Sequence, residues 1–159
     1  MKVLSLLGST GSIGTSTLKV TSSFPDDFRV AGLSGGRNVA KLADQIEQVC
    51  PEIASSCDER VSVELQSLLR QRGYPMARTR FVHGIEGHIE VSCHPESSIV
   101  LSAISGAAGL LPTYRALEQG KSIALANKET LVMAGEVMMR ESRRHGVAIL
   151  PVDSEHNAI

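Results

Sequence analysis

The sequence predicts an α/β fold in which a parallel β-sheet is covered by helices on both faces. Short apolar runs alternate along the chain with segments of helical periodicity, which is the pattern of successive βαβ units. The later runs are almost wholly apolar, as strands buried on both faces must be. A glycine-rich turn follows the first run. We therefore predict a doubly wound sheet in three layers.

Seven short runs are candidates for the strands, and at least six of them are expected to form. They share an apolar or β-branched composition, although the third is short and the fourth is weak. The last three have the clearest pattern. The runs cover about residues 2–7, 28–34, 53, 79–82, 98–103, 122–126 and 147–152.

Two helices in the first half of the chain have identifiable ends. Asn38 is a good N-cap before an apolar stripe that Pro51 stops. A second helix begins near Asp58 and ends at Gly73, because glycine adopts the left-handed conformation of a C-cap without strain.

Two more helices are expected in the second half. One covers about residues 112–119, and the other begins after Asn127 and runs to Gly146. Residues 74–95, which lie before them, are the least regular part of the sequence. The inward face of the last helix is predicted to carry Leu131, Ala134, Val137 and Met138.

Composition and charge limit the partners of the chain. Its 159 residues suffice for one domain, and 16 basic against 17 acidic residues give a formal net charge of -1. Aromatic residues make up only 3% of the chain, so a surface for nucleic acid or anionic membranes would lack both charge and stacking groups. We expect neither partner.

Cysteine usage and hydropathy predict the compartment. Cys50, Cys57 and Cys93 are odd in number and show no CxxC spacing, which argues for reduced thiols with a packing role. No apolar run approaches the ~18 residues of a membrane span. The amino terminus also lacks the pattern of a secretory signal. We expect a soluble, cytoplasmic protein.

The glycine-rich turn predicts an anion site. Gly8, Gly11 and Gly14 recur every three residues, and a helical segment follows at about residues 15–21. Such a turn at a helix N-terminus presents free backbone N–H groups to an anion, for example a dinucleotide pyrophosphate. We expect Gly8 to make the turn, Gly11 to let the phosphates approach and Gly14 to let the helix pack closely. A plain strand-to-helix turn is the alternative, and a Walker A loop is excluded because no lysine occurs between Gly8 and Leu18.

The loop after the second strand indicates which dinucleotide the chain binds. NAD-binding domains place an acid here to hold the ribose 2′-hydroxyl, whereas this loop reads Ser34, Gly35, Gly36, Arg37 and Asn38. The Arg37 guanidinium is a fork of donors suited to a 2′-phosphate, and the Asn38 amide can bind a remaining oxygen. We therefore predict NADP(H). The alternative is that Arg37 is a solvated surface charge and Asn38 only a helix cap.

Two further loops follow apolar strands and are expected at the same edge of the sheet. Residues 103–111 are nearly free of side chains at their centre, which suits a flat cofactor ring or ribose but equally the tight packing of a helix. In the next loop, Lys128 can neutralise an anionic substrate group. Asn127 and Glu129 can bond ribose or nicotinamide, although helix capping alone explains both.

The segment after the last strand predicts a metal site. Asp153 and Glu155 are two residues apart, so in an extended segment both carboxylates point to one side. Two hard oxygen ligands suit Mg²⁺ or Mn²⁺, which keep open positions for water or substrate. An acid/base pair without a metal and a solvated loop without chemistry are the alternatives.

Potential metal ligands are also dense between residues 83 and 94. They are His83, Glu86, His88, Cys93 and His94. Their spacing matches neither an HExxH motif nor a zinc finger. We therefore interpret these histidines as solvated loop residues rather than as zinc ligands.

Five motifs, in order along the chain, identify the family that the sequence resembles. They are GSTGSIG at residues 8–14, SGGRN at 34–38, SGAAGLLPT at 105–113, LANKE at 125–129 and LPVDSEHNAI at 150–159. Together they closely resemble 1-deoxy-D-xylulose 5-phosphate reductoisomerase, an NADPH- and metal-dependent family of the non-mevalonate isoprenoid pathway. The resemblance covers essentially the whole chain as the Rossmann-like NADPH-binding domain of that family.

This resemblance implies a role for individual residues. Asp153 and Glu155 are implied to be ligands of a divalent ion, which is Mg²⁺, Mn²⁺ or Co²⁺. Lys128, Ser154 and Glu155 are implied to contact a sugar-phosphate substrate, with Lys128 and Glu155 as catalytic residues. The implied cofactor contacts are Thr10, Gly11, Ser12, Ile13, Gly36, Arg37, Asn38, Asn127 and Glu129.

The implied reaction converts 1-deoxy-D-xylulose 5-phosphate into 2-C-methyl-D-erythritol 4-phosphate. In the family the metal holds substrate oxygens, the carbon skeleton rearranges to an aldehyde, and NADPH delivers hydride. The resemblance divides the chain into an NADPH-binding domain at residues 1–150 and the truncated start of a catalytic domain at 151–159. The chain alone is therefore expected to bind NADPH without turnover, and the full-length protein is implied to be a homodimer.

Two other functions stay open at this point. Another NADP-dependent dehydrogenase, such as one resembling aspartate-semialdehyde dehydrogenase, would need a catalytic cysteine and no metal. Cys50, Cys57 and Cys93 are expected in no suitable loop after a strand. A non-catalytic NADP-binding module is the second possibility, and activity restored by a longer chain would distinguish it from an enzyme.

Overall fold

The computed structural model describes residues 1–126 and 128–152 of the chain. Within these residues no helix is long and apolar enough to cross a membrane. The strands are β1 Lys2–Leu7, β2 Phe28–Ser34, β3 Ile53–Ser56, β4 Arg80–His83, β5 Ile99–Ser102, β6 Ser122–Leu125 and β7 Ile149–Pro151. The helices are α1 Ser12–Ser23, α2 Val39–Val49, α3 Glu59–Gln71, α4 Gly84–Ser92, α5 Leu110–Glu118 and α6 Lys128–His145, with short 3₁₀ turns at Met76–Arg78 and Gly106–Gly109.

Most element ends agree with the sequence predictions. β1 and β2 have the predicted bounds, and β4 to β7 differ from theirs by one or two residues. The predicted cap at Asn38 is confirmed, because its side chain accepts from the Lys41 N–H. Asp58, predicted only as the approximate start of a helix, also proves to be a cap, since its side chain accepts from the Val61 N–H. Helix α1 begins at Ser12 rather than near residue 15, so the third glycine of the loop already lies in its first turn.

The strand order confirms the doubly wound sheet. It reads β4-β3-β2-β1-β5-β6-β7, and every neighbouring pair is parallel. The order reverses at β1, which has β2 on one side and β5 on the other. In sheets of this kind ligands bind in the crevice beyond the carboxyl ends of the strands at the reversal. This fold therefore places a candidate site beyond β1 and β5.

Helices on both faces give the three predicted layers. Each fully buried leucine or isoleucine at these contacts contributes roughly 1.5–3 kcal/mol of apolar stabilisation. On one face, the buried residues of α1 to α3 that pack on the sheet are Leu18, Leu42, Ala43, Ile46, Leu65 and Leu69. On the other face, the corresponding residues of α4 to α6 are Val91, Ala116, Leu117 and Met138.

The predicted inward face of α6 is only partly correct. Met138 is fully buried, but Leu131 and Val137 are exposed, with 38% and 36% of their surface accessible. The backbone of Ala134 leaves the helical region at φ -144° and ψ 22°, which kinks the helix. Because the kink breaks the 3.6-residue period, residues before and after it do not share one face.

Residues 74–95 are more regular than their sequence suggests. Tyr74 and Thr79 are buried, their hydroxyls lie 2.6 Å apart, and the Thr79 hydroxyl donates to the Pro51 carbonyl at 2.6 Å. These bonds hold the segment before β4 against the rest of the domain. Helix α4 then crosses the second face of the sheet and packs on β3, β2 and β1 before the chain enters β5. Helix α4 thus carries its side chains close to the reversal point.

Candidate dinucleotide site

The loops that follow β1, β2 and β5 converge at the reversal point. The Gly8 and Ser9 N–H groups both donate to the Ser34 carbonyl at 2.8 Å. The Ala103 N–H donates to the Leu7 carbonyl at 2.9 Å, which ties the loop after β5 to β1. A cleft of about 330 Å³ opens between these loops, and Gly8, Thr10, Gly36, Cys57, His88 and Ala108 are among the residues that line it.

Two of the three loop glycines are required by close backbone contacts. Gly8 has φ +81°, and a Cβ atom there would lie 2.5 Å from the Ala103 carbonyl oxygen. A Cβ atom on Gly14 would lie 2.5 Å from the Ser9 carbonyl oxygen, so the close neighbour is the loop itself. Gly11 differs, because a Cβ atom there meets only the Gly8 carbonyl oxygen at 3.4 Å. The protein itself therefore leaves room for a side chain at Gly11.

The N-terminus of α1 has no capping side chain. Its N-cap is Gly11, which makes no side-chain bond, and no acidic residue lies in the first turn. In contrast, Asn38 and Asp58 cap α2 and α3. The first backbone N–H groups of a helix need an acceptor, and together with the positive end of the helix dipole they form an anion site. Helix α1 is 12 residues long and presents this end beside the cleft.

A buried glutamine, which the sequence analysis missed, holds the glycine loop. Gln45 lies on the inward stripe of α2 between Ala43 and Ile46, and only 5% of its surface is exposed. Its Nε2 atom donates to the Ser9 carbonyl at 2.8 Å. A polar residue within an apolar helical stripe is the pattern by which this contact could have been found.

The loop after β2 carries the residues predicted to face the 2′-phosphate. Gly36, Arg37 and Asn38 are all exposed, and Asn38 has the capping contact described above. Arg37 lies within electrostatic reach of the next loop, since its charge favours the ionised forms of Cys57 and Asp58. The geometry thus supports the cap at Asn38 and leaves the Arg37 guanidinium beside the cleft, open to solvent.

Cys57 corrects one expectation from the sequence. It directly follows β3 and lines the cleft, whereas no cysteine was expected in such a loop. Burial, followed by a hydrogen bond to Asp58 at 3.4 Å, raises the pKa of the thiol. A raised pKa disfavours the thiolate that nucleophilic catalysis requires. Cys57 therefore has the position but not the activation of a catalytic cysteine.

The interpretation of His88 as a solvated loop residue was wrong. His88 lies on α4 with only 9% of its surface exposed, and its Nδ1 atom is 2.8 Å from the Ser34 hydroxyl and 2.9 Å from the Ser55 hydroxyl. Burial lowers the pKa of the ring. His83 is exposed, as expected, and His94 is half-buried. Across the residues that the structure describes, no cluster of three or more histidines, cysteines or acids could hold a metal ion.

Several predicted site residues fall outside the described part of the chain. These are Asn127, the side chain of Lys128, and Asp153, Ser154 and Glu155. The strands that precede them are described: the Ala126 N–H donates to the Ser102 carbonyl at 3.0 Å, and the Val152 N–H donates to the Leu125 carbonyl at 2.9 Å. Both loops therefore start at the carboxyl edge of the sheet. Glu129 is exposed, and of the predicted pyrophosphate contacts Ser12 is exposed while Thr10 and Ile13 are half-buried.

The sheet order and the uncapped glycine-rich helix at its reversal point define a Rossmann-like dinucleotide-binding domain. Sequence comparison gives the particular family. The sequence model described as 1-deoxy-D-xylulose 5-phosphate reductoisomerase matches residues 4–135, and the chain belongs to that family.

Individual relatives agree with this assignment. The chain is 51% identical over 159 residues to the 1-deoxy-D-xylulose 5-phosphate reductoisomerase of Chlorobium phaeovibrioides and 46% identical to that of Bacillus cereus strain Q1. In both cases the match covers 100% of this chain and 40% of the relative. A solved structure of DOX-P reductoisomerase in complex with NADPH, fosmidomycin and magnesium superposes with a TM-score of 0.90 at 39% identity, over 99% of this chain and 38% of that one. The chain thus spans about two fifths of the length of its relatives.

Proposed function

We propose that this chain is the NADPH-binding part of a metal-dependent reductoisomerase that converts 1-deoxy-D-xylulose 5-phosphate into 2-C-methyl-D-erythritol 4-phosphate. The uncapped N-terminus of α1 at the reversal-point cleft, in a chain of this family, carries the proposal. A related structure contains NADPH, fosmidomycin and magnesium, which supports this cofactor and a phosphate-like substrate group. Residues 1–150 would form the cofactor domain, and residues 151–159 would begin the part that carries the metal.

The described residues fit a dinucleotide. The pyrophosphate would lie against Thr10, Gly11, Ser12 and Ile13, because no side chain in the described part of the chain caps the N-terminus of α1 and Gly11 leaves space for an oxygen to approach. The 2′-phosphate would lie by Gly36, Arg37 and Asn38. The space beside Gly36 is open with respect to the described residues, since none of their atoms lies within 4 Å of a Cβ atom built there.

The remaining contacts are proposed from the family and from the donor chemistry. Asn127 and Glu129 would bind the rest of the cofactor, and Lys128 and Ser154 would bind the sugar phosphate. Asp153 and Glu155 supply the two carboxylates that a divalent ion prefers, and magnesium is present in the related structure. When bound, NADPH supplies hydride and the ion polarises the substrate carbonyl. Mn²⁺ and Co²⁺ fit the same ligands.

The proposed assembly and location rest on similar grounds. We infer a homodimer for the full-length protein from the family resemblance. The three cysteines are free thiols in the structure, which supports a reducing compartment such as the cytoplasm.

Alkylation of Cys57 should report cofactor binding in this cleft. At an NADPH concentration ten times Kd, we expect modification of Cys57 to slow about tenfold, because only about a tenth of the chain stays free. Cys50 is the internal control, since it is exposed and lies outside the cleft. Mass spectrometry of both peptides measures the two rates. An unchanged Cys57 rate at saturating NADPH would contradict the proposed site.

Turnover should require a chain of the relatives' length and the two carboxylates. We expect a chain extended to the length of its relatives to consume NADPH with 1-deoxy-D-xylulose 5-phosphate and Mg²⁺, and the 159-residue chain to bind NADPH without turnover. Asp153→Asn or Glu155→Gln in the long chain should lower kcat by at least about 100-fold. Even residues that only hydrogen-bond to metal ligands often lower metal affinity or activity about 10- to 100-fold when they are replaced. The affinity for NADPH should not change. A fully active Asp153→Asn variant would exclude the proposed metal site.

A further inference from the structure

His88 occupies a position from which it can contact a ligand in the cleft. Helix α4 approaches β3 closely because the preceding residue is glycine: a Cβ atom on Gly87 would lie 2.7 Å from the Ser55 hydroxyl oxygen. This close approach seats the His88 ring under the carboxyl ends of β2 and β3. His88 is also one of the residues that line the cleft.

The two serines fix which ring nitrogen carries the proton. Ser34 and Ser55 are fully buried, and their hydroxyls lie 2.8 and 2.9 Å from His88 Nδ1. Ser55 also has the Ser56 carbonyl as a distant acceptor at 3.5 Å, whereas within residues 1–126 and 128–152 the Ser34 hydroxyl has no other acceptor. A buried hydroxyl without an acceptor is costly, so Ser34 donates to Nδ1 and the ring proton lies on Nε2.

The second ring nitrogen of His88, Nε2, is accessible in a residue that lines the cleft. Nε2 forms no hydrogen bond with any residue that the structure describes, and it is not among the buried polar atoms that lack a partner. Nε2 is therefore accessible, and His88 is one of the residues that line the cleft. The Nε2–H group is thus a neutral hydrogen-bond donor beside the cleft. It lies between the loop that carries Arg37 and the loop that carries Cys57.

We propose that His88 donates a hydrogen bond from Nε2 to the adenosine half of NADPH. The His88 ring contacts Ser34 at 2.8 Å, and Ser34 begins the loop assigned to the 2′-phosphate. That phosphate is attached to the adenosine ribose of NADPH. Adenine ring nitrogens and ribose oxygens are acceptors suited to this donor. The inference rests on the proposed NADPH site and adds a cofactor contact that the glycine and arginine loops do not provide.

Two variants separate the contact from the packing of the ring. His88→Asn retains an acceptor near Nδ1 for the serines but removes Nε2, and we expect NADPH and 2′,5′-ADP to bind about 3- to 10-fold more weakly, the value of one hydrogen bond. Its Tm should stay close to that of the unmodified chain. His88→Gln places an amide near the former Nε2 and should recover most of the affinity while lowering Tm. In the unmodified chain, the ¹⁵N resonance of His88 Nε2 should shift when 2′,5′-ADP is added.

The possible outcomes distinguish this inference from the proposed function. If the unmodified chain binds neither NADPH nor 2′,5′-ADP, the cofactor site itself is refuted, and the His88 contact with it. If the chain binds both ligands, but His88→Asn binds them equally well and the Nε2 resonance does not move, only the His88 contact is refuted. Equal weakening for both ligands, with an unchanged Tm and a shifted resonance, supports it.

Discussion

Replacing Gly8 with alanine is expected to lower the free energy of unfolding by about 4 kcal/mol, from strain and overpacking together. The φ angle of +81° costs a residue with a Cβ atom about 1–2 kcal/mol. The new Cβ atom would also lie 2.5 Å from the Ala103 carbonyl oxygen and 2.7 Å from the Ala103 carbonyl carbon. Because these are backbone atoms of the residue that follows β5, whose N–H is bonded to the Leu7 carbonyl, they cannot rotate away, and overpacking adds about 2–3 kcal/mol. Urea unfolding followed by circular dichroism measures the change.

Gly36→Ala is the matched control for this experiment. Gly36 belongs to the same edge of the sheet, its φ is not positive, and a Cβ atom there would meet nothing within 4 Å. We expect its free energy of unfolding to stay within about 0.5 kcal/mol of the unmodified chain. If the free energy of unfolding of Gly8→Ala were also within about 0.5 kcal/mol of the unmodified chain, the loop after β1 would not pack against the Ala103 carbonyl.

Local features of the sequence were sufficient to predict the sheet, the helix cap at Asn38 and the start of α3 near Asp58. Strands buried on both faces must be short apolar runs, and Asn38 and Asp58 are followed by apolar stripes with helical spacing. The glycine loop was recognisable because its chemistry depends on consecutive residues after one strand. Such features need only the neighbouring residues, so the sequence contains them directly.

Features that depend on distant residues could not be predicted in this way. The pairing of His88 with Ser34 and Ser55 spans 54 and 33 residues and exists only because α4 crosses back beneath the sheet. The backbone leaves the helical region at Ala134, so a straight-helix pattern wrongly placed Leu131 inward. Both failures occur where tertiary structure decides the environment of a side chain.

The position of Cys57 was missed for a related reason. The third strand was predicted only as a short run near residue 53, so its end was not defined. Once β3 is known to end at Ser56, Cys57 becomes the first residue beyond a strand at the ligand-binding edge. The exact end of a four-residue strand therefore decides whether a side chain belongs to the site.

Arg37→Ala should remove most of the preference for NADPH over NADH. A charge-assisted bond between the guanidinium and the 2′-phosphate is worth about 1.5–3 kcal/mol, so we expect Kd for NADPH to rise about 10- to 150-fold. NADH lacks this phosphate, so its Kd should change less than about twofold. This change is well below the roughly tenfold or larger effect of losing one charged hydrogen bond. Because Arg37 is exposed, the free energy of unfolding should not change. Fluorescence titration with both nucleotides measures the two affinities.

Arg60→Ala tests whether any positive charge in this region would have the same effect. Arg60 is exposed and, like Arg37, lowers the pKa of Asp58, but it lies on α3 and not in the loop after β2 that is assigned to the 2′-phosphate. Loss of a nearby charge without a direct contact is screened by salt, so Arg60→Ala should raise Kd for NADPH by no more than about twofold. Arg37→Lys should recover only part of the affinity, because an ammonium lacks the paired donors that match a phosphate. Equal losses in Arg37→Ala and Arg60→Ala would show that general electrostatic attraction, and not a bound 2′-phosphate, sets the preference.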